Sequence, residues 1–99
     1  DPFLEMRTAG IVSSLTSSRA HAVPAREIFG MATLFGARAL GLKAGLIREG
    51  YLADLVLINA DKPWFRPMEN LYSLLVYSAR GSDVEMIVID GGIRENFLT

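Results

Sequence analysis

The sequence predicts an α+β fold in which the helices come first and the strands follow. Two helical patterns fill residues 1–41, with apolar side chains three or four positions apart. After residue 45 the pattern changes to short apolar runs bounded by glycines, which is typical of strands. The predicted order is therefore two helices, then strand, strand, helix, strand and strand.

The first helix is predicted to begin at Asp1, with the aspartate as N-cap and Pro2 at the first helical position. It is expected to end in the polar run 13–18, and residues 17–21 are expected to form a loop. Four side chains spaced three or four apart fall on one face of this helix, namely Leu4, Thr8, Ile11 and Leu15.

The second helix is predicted to begin at Pro24 as a single amphipathic element. Glu27 lies in its first turn, where a negative charge suits the helix dipole. Gly41 is a natural C-terminal stop. The apolar face of this helix is predicted to consist of Ile28, Met31, Ala32, Phe35 and Ala39.

The stretch 45–59 is the most informative part of the chain. We predict a short strand at 46–48, a turn at Glu49-Gly50 and a strand at 53–59. The second strand is apolar on both faces, which indicates burial between two layers. An unpaired charge at its start would be costly, so Asp54 is predicted to accept hydrogen bonds from the backbone of the Gly50-Tyr51 turn.

The last third of the chain is predicted to contain one helix and a hairpin. Trp64 and Phe65 lie in a proline-containing loop and either touch a neighbouring domain or form a small satellite core. A helix is predicted over 69–79, with Leu71, Leu74, Leu75 and Ser78 on one face. A strand at 84–89 leads through a glycine turn at 90–92 into a final strand, and Asp83 is expected to be solvated.

Composition excludes several classes of function. Half of the 99 residues are hydrophobic (51%) and the net charge is −1, without a Lys/Arg cluster, so a nucleic-acid surface is not indicated. No apolar run is long enough for a membrane span. The chain has no cysteine, which excludes disulfides and thiolate metal sites and fits a cytoplasmic location. The mean hydropathy of +0.29 indicates apolar surface that faces something outside this chain.

No residue set in the sequence is suited to catalysis. A zinc site usually needs three protein ligands, whereas His21 is the only histidine and lies in a serine-rich loop. Ser17 or Ser18 could complete a catalytic triad on paper, but no strained turn presents a nucleophile. The glycines after residue 40 are not followed by the Gly-Lys-Ser/Thr of a phosphate loop. We therefore predict no catalytic and no metal-ligating residue.

Four stretches in order resemble one family, the metal-dependent amidohydrolases. Residues 1–7 resemble the helix after the last barrel strand, and residues 31–41 resemble the "ATxxGAxALG" helix. Residues 45–59 resemble the "GxIxxGxxADLVLI" turn and strand, and residues 75–92 resemble the "LVYSA…V…VIVDG" ending. The likeness covers nearly the whole chain and is greatest to the branch of chlorohydrolases, guanine deaminases and methylthioadenosine/S-adenosylhomocysteine deaminases.

The resemblance implies a parent enzyme with a (β/α)8 barrel and a smaller composite β-sandwich. Residues 1–44 would be barrel-closing helices and residues 45–99 the C-terminal part of the sandwich. A zinc or iron ion would activate water on ligands that this chain lacks, since Asp1 matches the helix start and not the ligand. The chain would then be an inactive structural portion of a hydrolase acting on carbon–nitrogen bonds of a ring substrate. Four residues are predicted to be structural, namely Asp54, Gly45, Gly50 and Gly91.

The expected partners follow from the two-sided apolar strands. The missing barrel and the missing N-terminal sandwich strands would cover them in a parent enzyme, and the absent starting methionine indicates a piece of a longer chain. Exposed strands also predict a homo-oligomer. The alternative interpretation is a free-standing, oligomerising interaction module without catalysis.

Overall fold

The computed structural model describes residues 1–16 and 22–94, and within these ranges the chain is a helical layer beside an antiparallel sheet. The helices are α1 (Pro2–Thr16), α2 (Ala25–Ala32), α3 (Leu34–Ala39) and α4 (Leu71–Ser73), and α4 continues as a π-helical segment, Leu74–Ser78. The strands are β1 (Leu55–Ile58), β2 (Val84–Ile89) and β3 (Gly92–Arg94). The sheet order is β1-β2-β3, and both pairs are antiparallel.

Helix α1 begins as the sequence predicts but buries a different face. The Asp1 Oδ1 accepts hydrogen bonds from the backbone amides of Phe3 (2.9 Å) and Leu4 (3.4 Å), which confirms the N-cap. The helix continues through Thr16, and its buried residues are Met6 and Gly10. The predicted apolar face is exposed instead, since Leu15 is 80% accessible.

The predicted second helix is broken in two at Thr33, so the prediction of one continuous helix is wrong. Thr33 has φ −127° and ψ −96°, outside the helical region. Its hydroxyl donates to the Phe29 carbonyl at 2.8 Å, a bond that competes with regular helix geometry. Ile28 is buried as expected, whereas Met31 and Phe35 remain about half exposed.

Helix α3 ends at Ala39, and Gly41 follows its C-cap as the predicted stop. Gly41 has φ +74°, and its amide donates to the Arg38 carbonyl at 3.0 Å. The amide of Leu42 donates to the Ala37 carbonyl at 2.9 Å. These two bonds form a Schellman motif, which satisfies carbonyls at the helix end.

The predicted strand at 46–48 is wrong, because these residues form a loop. The loop is held by the amide of Leu52, which donates to the Lys43 carbonyl at 2.7 Å. Strand β1 is shorter than predicted, and Leu55, Val56 and Leu57 are exposed rather than buried. The apolar pattern predicted a strand buried between two layers. In the structure β1 lies at the edge of the sheet, and its side chains would be buried only under a further layer.

The predicted helix at 69–79 forms over a shorter range and changes its winding. Asn70 caps it by accepting from the Ser73 amide at 3.2 Å. The amide of Ala79 donates to the Leu74 carbonyl at 2.8 Å, an i→i+5 bond. This wider turn shifts the buried face, so Val76 and Ala79 are fully buried whereas Leu71 is exposed.

The main core lies between α1, α2 and the π segment. Its buried members are Met6, Ile28 and Val76, and partly buried neighbours pack around them, namely Phe3, Val23, Ala25 and Phe29. The core therefore belongs to the helical layer, and the sheet contributes little to it.

Candidate functional site

Asp83 is the buried carboxylate at the junction of the helical layer and the sheet. It is 1% exposed, so the prediction that it is solvated is wrong. Its Oδ2 accepts from the Trp64 indole N–H at 2.9 Å and from the Arg80 amide at 2.9 Å. A buried carboxylate needs such donors because burial removes its hydration.

The backbone of Asp83 also forms hydrogen bonds, and these connect the junction to the ends of two strands. Its amide donates to the Arg80 carbonyl at 3.0 Å, and its carbonyl accepts from the Asn59 amide at 2.8 Å. Asn59 directly follows β1, and Asp83 directly precedes β2. One residue therefore ties the aromatic loop around Trp64 to the end of one strand and the start of the next.

The peptide group between Ala79 and Arg80 lies between a cation and an anion. Its carbonyl accepts from Arg7 Nη2 at 2.7 Å, and its N–H donates to the Asp83 carboxylate. Hydrogen bonds to charged groups are stronger than neutral ones, so this peptide links α1 firmly to the turn before β2. Arg7 Nε and Asp83 Oδ1 are buried without a further partner in the ranges that the structure describes.

In the loop around Trp64 and Phe65, one aromatic ring is buried within this chain and the other is partly exposed. Phe65 is 1% exposed. The guanidinium of Arg80 lies 4.2 Å from the Trp64 ring centre, and the Lys62 ammonium lies 5.9 Å from it. The indole is thus held at its N–H by Asp83 and at its face by Arg80.

The junction is suited to holding elements together and not to acid–base or metal chemistry. Within residues 1–16 and 22–94, the donors bound to the Asp83 carboxylate are an indole and an amide. Among residues 1–16 and 22–94, no group of three His, Cys, Asp or Glu side chains could hold a metal ion. The residues described therefore do not fit the zinc or iron that the resemblance implies. His21, Ser17 and Ser18 lie outside the described residues.

The three predicted structural glycines all adopt positive φ. Gly45 has φ +84°, Gly50 +86° and Gly91 +76°, conformations that residues with a Cβ rarely adopt. Gly45 differs from the others in its surroundings. A Cβ there would lie 2.6 Å from the Thr33 carbonyl carbon and 2.6 Å from the Leu34 amide nitrogen, at the break between α2 and α3.

Asp54 forms a turn contact, although with a different turn from the one predicted. Its Oδ1 accepts from the Asp90 amide at 2.7 Å. The amide of Tyr51 donates to the Arg48 carbonyl instead. The hairpin turn after β2 is further held by the Gly91 amide, which donates to the Ala53 carbonyl at 3.0 Å. Asp54 thus braces the β2–β3 turn against the entry to β1.

Replacing Asp54 with alanine is expected to lower the free energy of unfolding by about 1 kcal/mol, the usual contribution of one partly exposed hydrogen bond. Asp54→Asn keeps an oxygen acceptor at the same place and is the matched control. Urea unfolding followed by circular dichroism measures both variants. Equal losses for the two would show that the charge, and not the hydrogen bond, is what matters.

Two shallow grooves accompany these features. One of about 480 Å³ lies between α2, α3 and Tyr72, whose ring packs edge-on against Phe29 at 5.7 Å. The other, of about 250 Å³, is lined mainly by the loop 46–53.

Within the described part of the chain, no helix has the length and apolar character needed to cross a bilayer.

Comparison with known proteins identifies the family. The model of the amidohydrolase family matches residues 2–94, and the chain belongs to this family. It is 48% identical over 89 residues to a 5-methylthioadenosine/S-adenosylhomocysteine deaminase of Thermococcus onnurineus, covering 90% of this chain and 21% of that protein. It is 47% identical over 93 residues to a 5'-deoxyadenosine deaminase of Methanothermobacter thermautotrophicus, covering 94% and 22%.

Solved structures agree with this placement. The chain matches a zinc-bound adenosine deaminase from Xanthomonas campestris with a TM-score of 0.87 and 35% identity, covering 94% of this chain and 22% of that one. It matches a zinc-bound atrazine chlorohydrolase from Arthrobacter aurescens with a TM-score of 0.83 at 21% identity, covering 95% and 21%, a likeness of fold alone. The chain spans about a fifth of the length of the relatives it matches.

Proposed function

We propose that this chain is the C-terminal structural portion of an aminohydrolase that acts on the ring of an adenosine-like nucleoside. The observation that carries the proposal is the 48% and 47% identity to deaminases named for such substrates. The 35% identity to an adenosine deaminase of solved structure supports the same class. The reaction replaces a ring amino group with an oxygen from water and releases ammonia.

The catalytic part of the proposed enzyme lies outside these residues. The side chains described here do not make up a metal site, and the buried carboxylate is engaged by an indole and an amide. A metal would lower the pKa of a bound water in the remaining part of such an enzyme. In this proposal, residues 1–44 close a barrel and residues 45–99 complete a sandwich, in a cytoplasmic protein.

The exposed faces of the fragment support this arrangement. The apolar side of α1 includes Leu4, Ile11 and Leu15, which are 55%, 48% and 80% exposed. A barrel-closing helix needs one side for the barrel strands and one for its neighbours. The side with Met6 and Gly10 packs within this chain, so the other side is free to contact the barrel.

The test compares the 99-residue chain with a longer product that includes the upstream coding sequence, of about 250–300 residues for a barrel domain. The short chain is expected to bind no stoichiometric zinc and to leave 5'-deoxyadenosine unchanged. The longer product is expected to bind metal and release ammonia from that nucleoside. Turnover by the short chain, or a longer product that leaves every adenosine-like nucleoside intact, would contradict the proposal.

A further inference from the structure

More large apolar side chains lie at the surface of this chain than in its interior. Among the described residues, nineteen large hydrophobic side chains are exposed, whereas seven apolar residues are buried. The largest apolar patch of an ordinary monomer measures about 300–600 Å². A protein interface of standard size takes about 20–30 residues from each partner. The exposed apolar side chains are therefore numerous enough to supply the apolar part of a whole interface.

The uncovered apolar surface lies on several sides of the molecule. On α1, the side opposite the core is open, and Leu15 there is 80% exposed. On β1, Val56 and Leu57 are neighbours, so their side chains point to opposite faces of the sheet, yet they are 53% and 57% exposed. Both precede the register shift between Leu57 and Ile58, so the alternation is regular at these two positions. The open surface thus includes one side of a helix and both faces of an edge strand.

Hydrogen bonds inside this chain fix the position of α1 relative to β1. Arg7 on α1 donates to the Ala79 carbonyl at 2.7 Å, and the amide of Arg80, in the same peptide group, donates to the Asp83 carboxylate at 2.9 Å. The Asp83 carbonyl in turn accepts from the amide of Asn59, which directly follows β1, at 2.8 Å. A partner therefore meets the helix and the strand as one preformed surface, which lowers the entropy lost on binding.

The distribution of this surface selects the partner. A two-fold axis lays one patch of a chain on the same patch of its copy, so a second copy on one face of β1 leaves the other face open. A partner that covers α1 and both faces of β1 together has to be larger than this chain. The chain covers 21% and 22% of two relatives, so about four-fifths of each of them lies outside the matched part. A partner of that size reaches all of these surfaces at once.

We propose that the upstream part of the enzyme, made as a separate polypeptide, binds the 99-residue chain at these faces without a covalent link. This inference rests on the proposed function, which identifies the upstream part as a barrel with the remaining sandwich strands. Interfaces between permanently associated chains are the larger and more apolar ones, and the exposed side chains of α1 and β1 have that character. The chain is then a docking subunit that completes a split enzyme.

Co-expression of the two parts as separate polypeptides tests the proposal. The upstream part carries an affinity tag, and the untagged 99-residue chain is expected to co-purify with it in equal amounts. Size-exclusion chromatography with light scattering measures the mass of the complex. The complex is also expected to release ammonia from 5'-deoxyadenosine. The continuous longer product, assayed beside it, reports on the proposed function alone.

Substitutions on the open faces locate the interface. Leu15→Lys, Val56→Lys and Leu57→Lys are each expected to lower the recovery of the chain about tenfold, because each places a charge under the partner. Ala9→Lys is the matched control, since Ala9 is exposed on α1 but lies about 120° round the helix from Leu15. Its recovery is expected to change less than about twofold. Circular dichroism of each variant alone checks that the secondary structure is retained.

The outcomes separate this proposal from the proposed function. Suppose that the continuous product deaminates the nucleoside while the separate upstream part purifies without the chain or is insoluble beside it. Docking between separate chains would then be refuted, and the proposed function would stand. Co-purification without deamination by either product would refute the proposed function and leave docking standing. Loss of binding in Leu57→Lys with none in Val56→Lys would overturn the two-sided contact, because a single layer would then cover β1.

Discussion

Replacing Gly45 with alanine is expected to lower the free energy of unfolding by about 2–5 kcal/mol, the sum of a left-handed backbone cost and an overpacking cost. Gly45 has φ +84°, so a Cβ is disfavoured in any surroundings. The new methyl group would also lie 2.6 Å from backbone atoms of Thr33 and Leu34. Backbone atoms cannot swing aside as a side chain can, so the α2–α3 junction itself would have to move.

Gly50→Ala is the matched control for this prediction. Gly50 has nearly the same φ, +86°, but a Cβ there would meet nothing within 4 Å. It should therefore cost only the backbone part, about 1–2 kcal/mol. Urea unfolding followed by Trp64 fluorescence and circular dichroism measures both variants. If the free energy of unfolding falls equally in the two variants, the close approach of Gly45 to the helix break does not contribute to the loss.

Local signals in the sequence predicted local structure well. The Asp1 cap and the Gly41 stop each depend on residues within a few positions of one another. Such contacts follow from side-chain chemistry and backbone preference alone. The order of helices and strands was also confirmed, apart from the strand predicted at 46–48 and the second helix, which is two helices in the structure.

Features set by distant parts of the chain could not be predicted in this way. The helix break at Thr33 is packed against Gly45, twelve positions later. No local sequence pattern predicts this break. The buried state of Asp83 depends on Trp64, nineteen positions earlier. A turn aspartate is solvated in most settings, so only the fold reveals that this one is enclosed.

Periodicity also failed to choose between faces where the packing partner lies outside the chain. Leu4, Ile11 and Leu15 lie on one face of α1 with Thr8 and are exposed, whereas Met6 and Gly10 face the core. Strand β1 is apolar on both sides and exposed on both. In the proposed function these exposed apolar faces contact the barrel and the other sandwich strands, which periodicity within one chain cannot reveal.

Replacing Asp83 with alanine is expected to lower the free energy of unfolding by about 2–6 kcal/mol, because two partly buried donors lose their acceptor at about 1–3 kcal/mol each. The donors are the Trp64 indole N–H and the Arg80 amide, both 2.9 Å from Oδ2. Arg7 donates to the carbonyl of the same peptide group, so the loss would also loosen the contact with α1. Urea unfolding followed by circular dichroism at 222 nm measures the loss.

A double-mutant cycle separates the indole bond from the rest of this junction. Trp64→Phe removes the indole N–H and part of the ring that Arg80 faces. It should cost about 1–3 kcal/mol, which keeps the test informative if Asp83→Ala does not fold. The pair should show a coupling of about 1–2 kcal/mol, since contacting residues are not additive. Asp61→Ala is the control, because Asp61 is 94% exposed and its 3.7 Å ion pair with Arg66 should contribute less than about 1 kcal/mol. Additive losses in the cycle would mean that Asp83 stabilises the fold through the Arg80 amide and not through the indole.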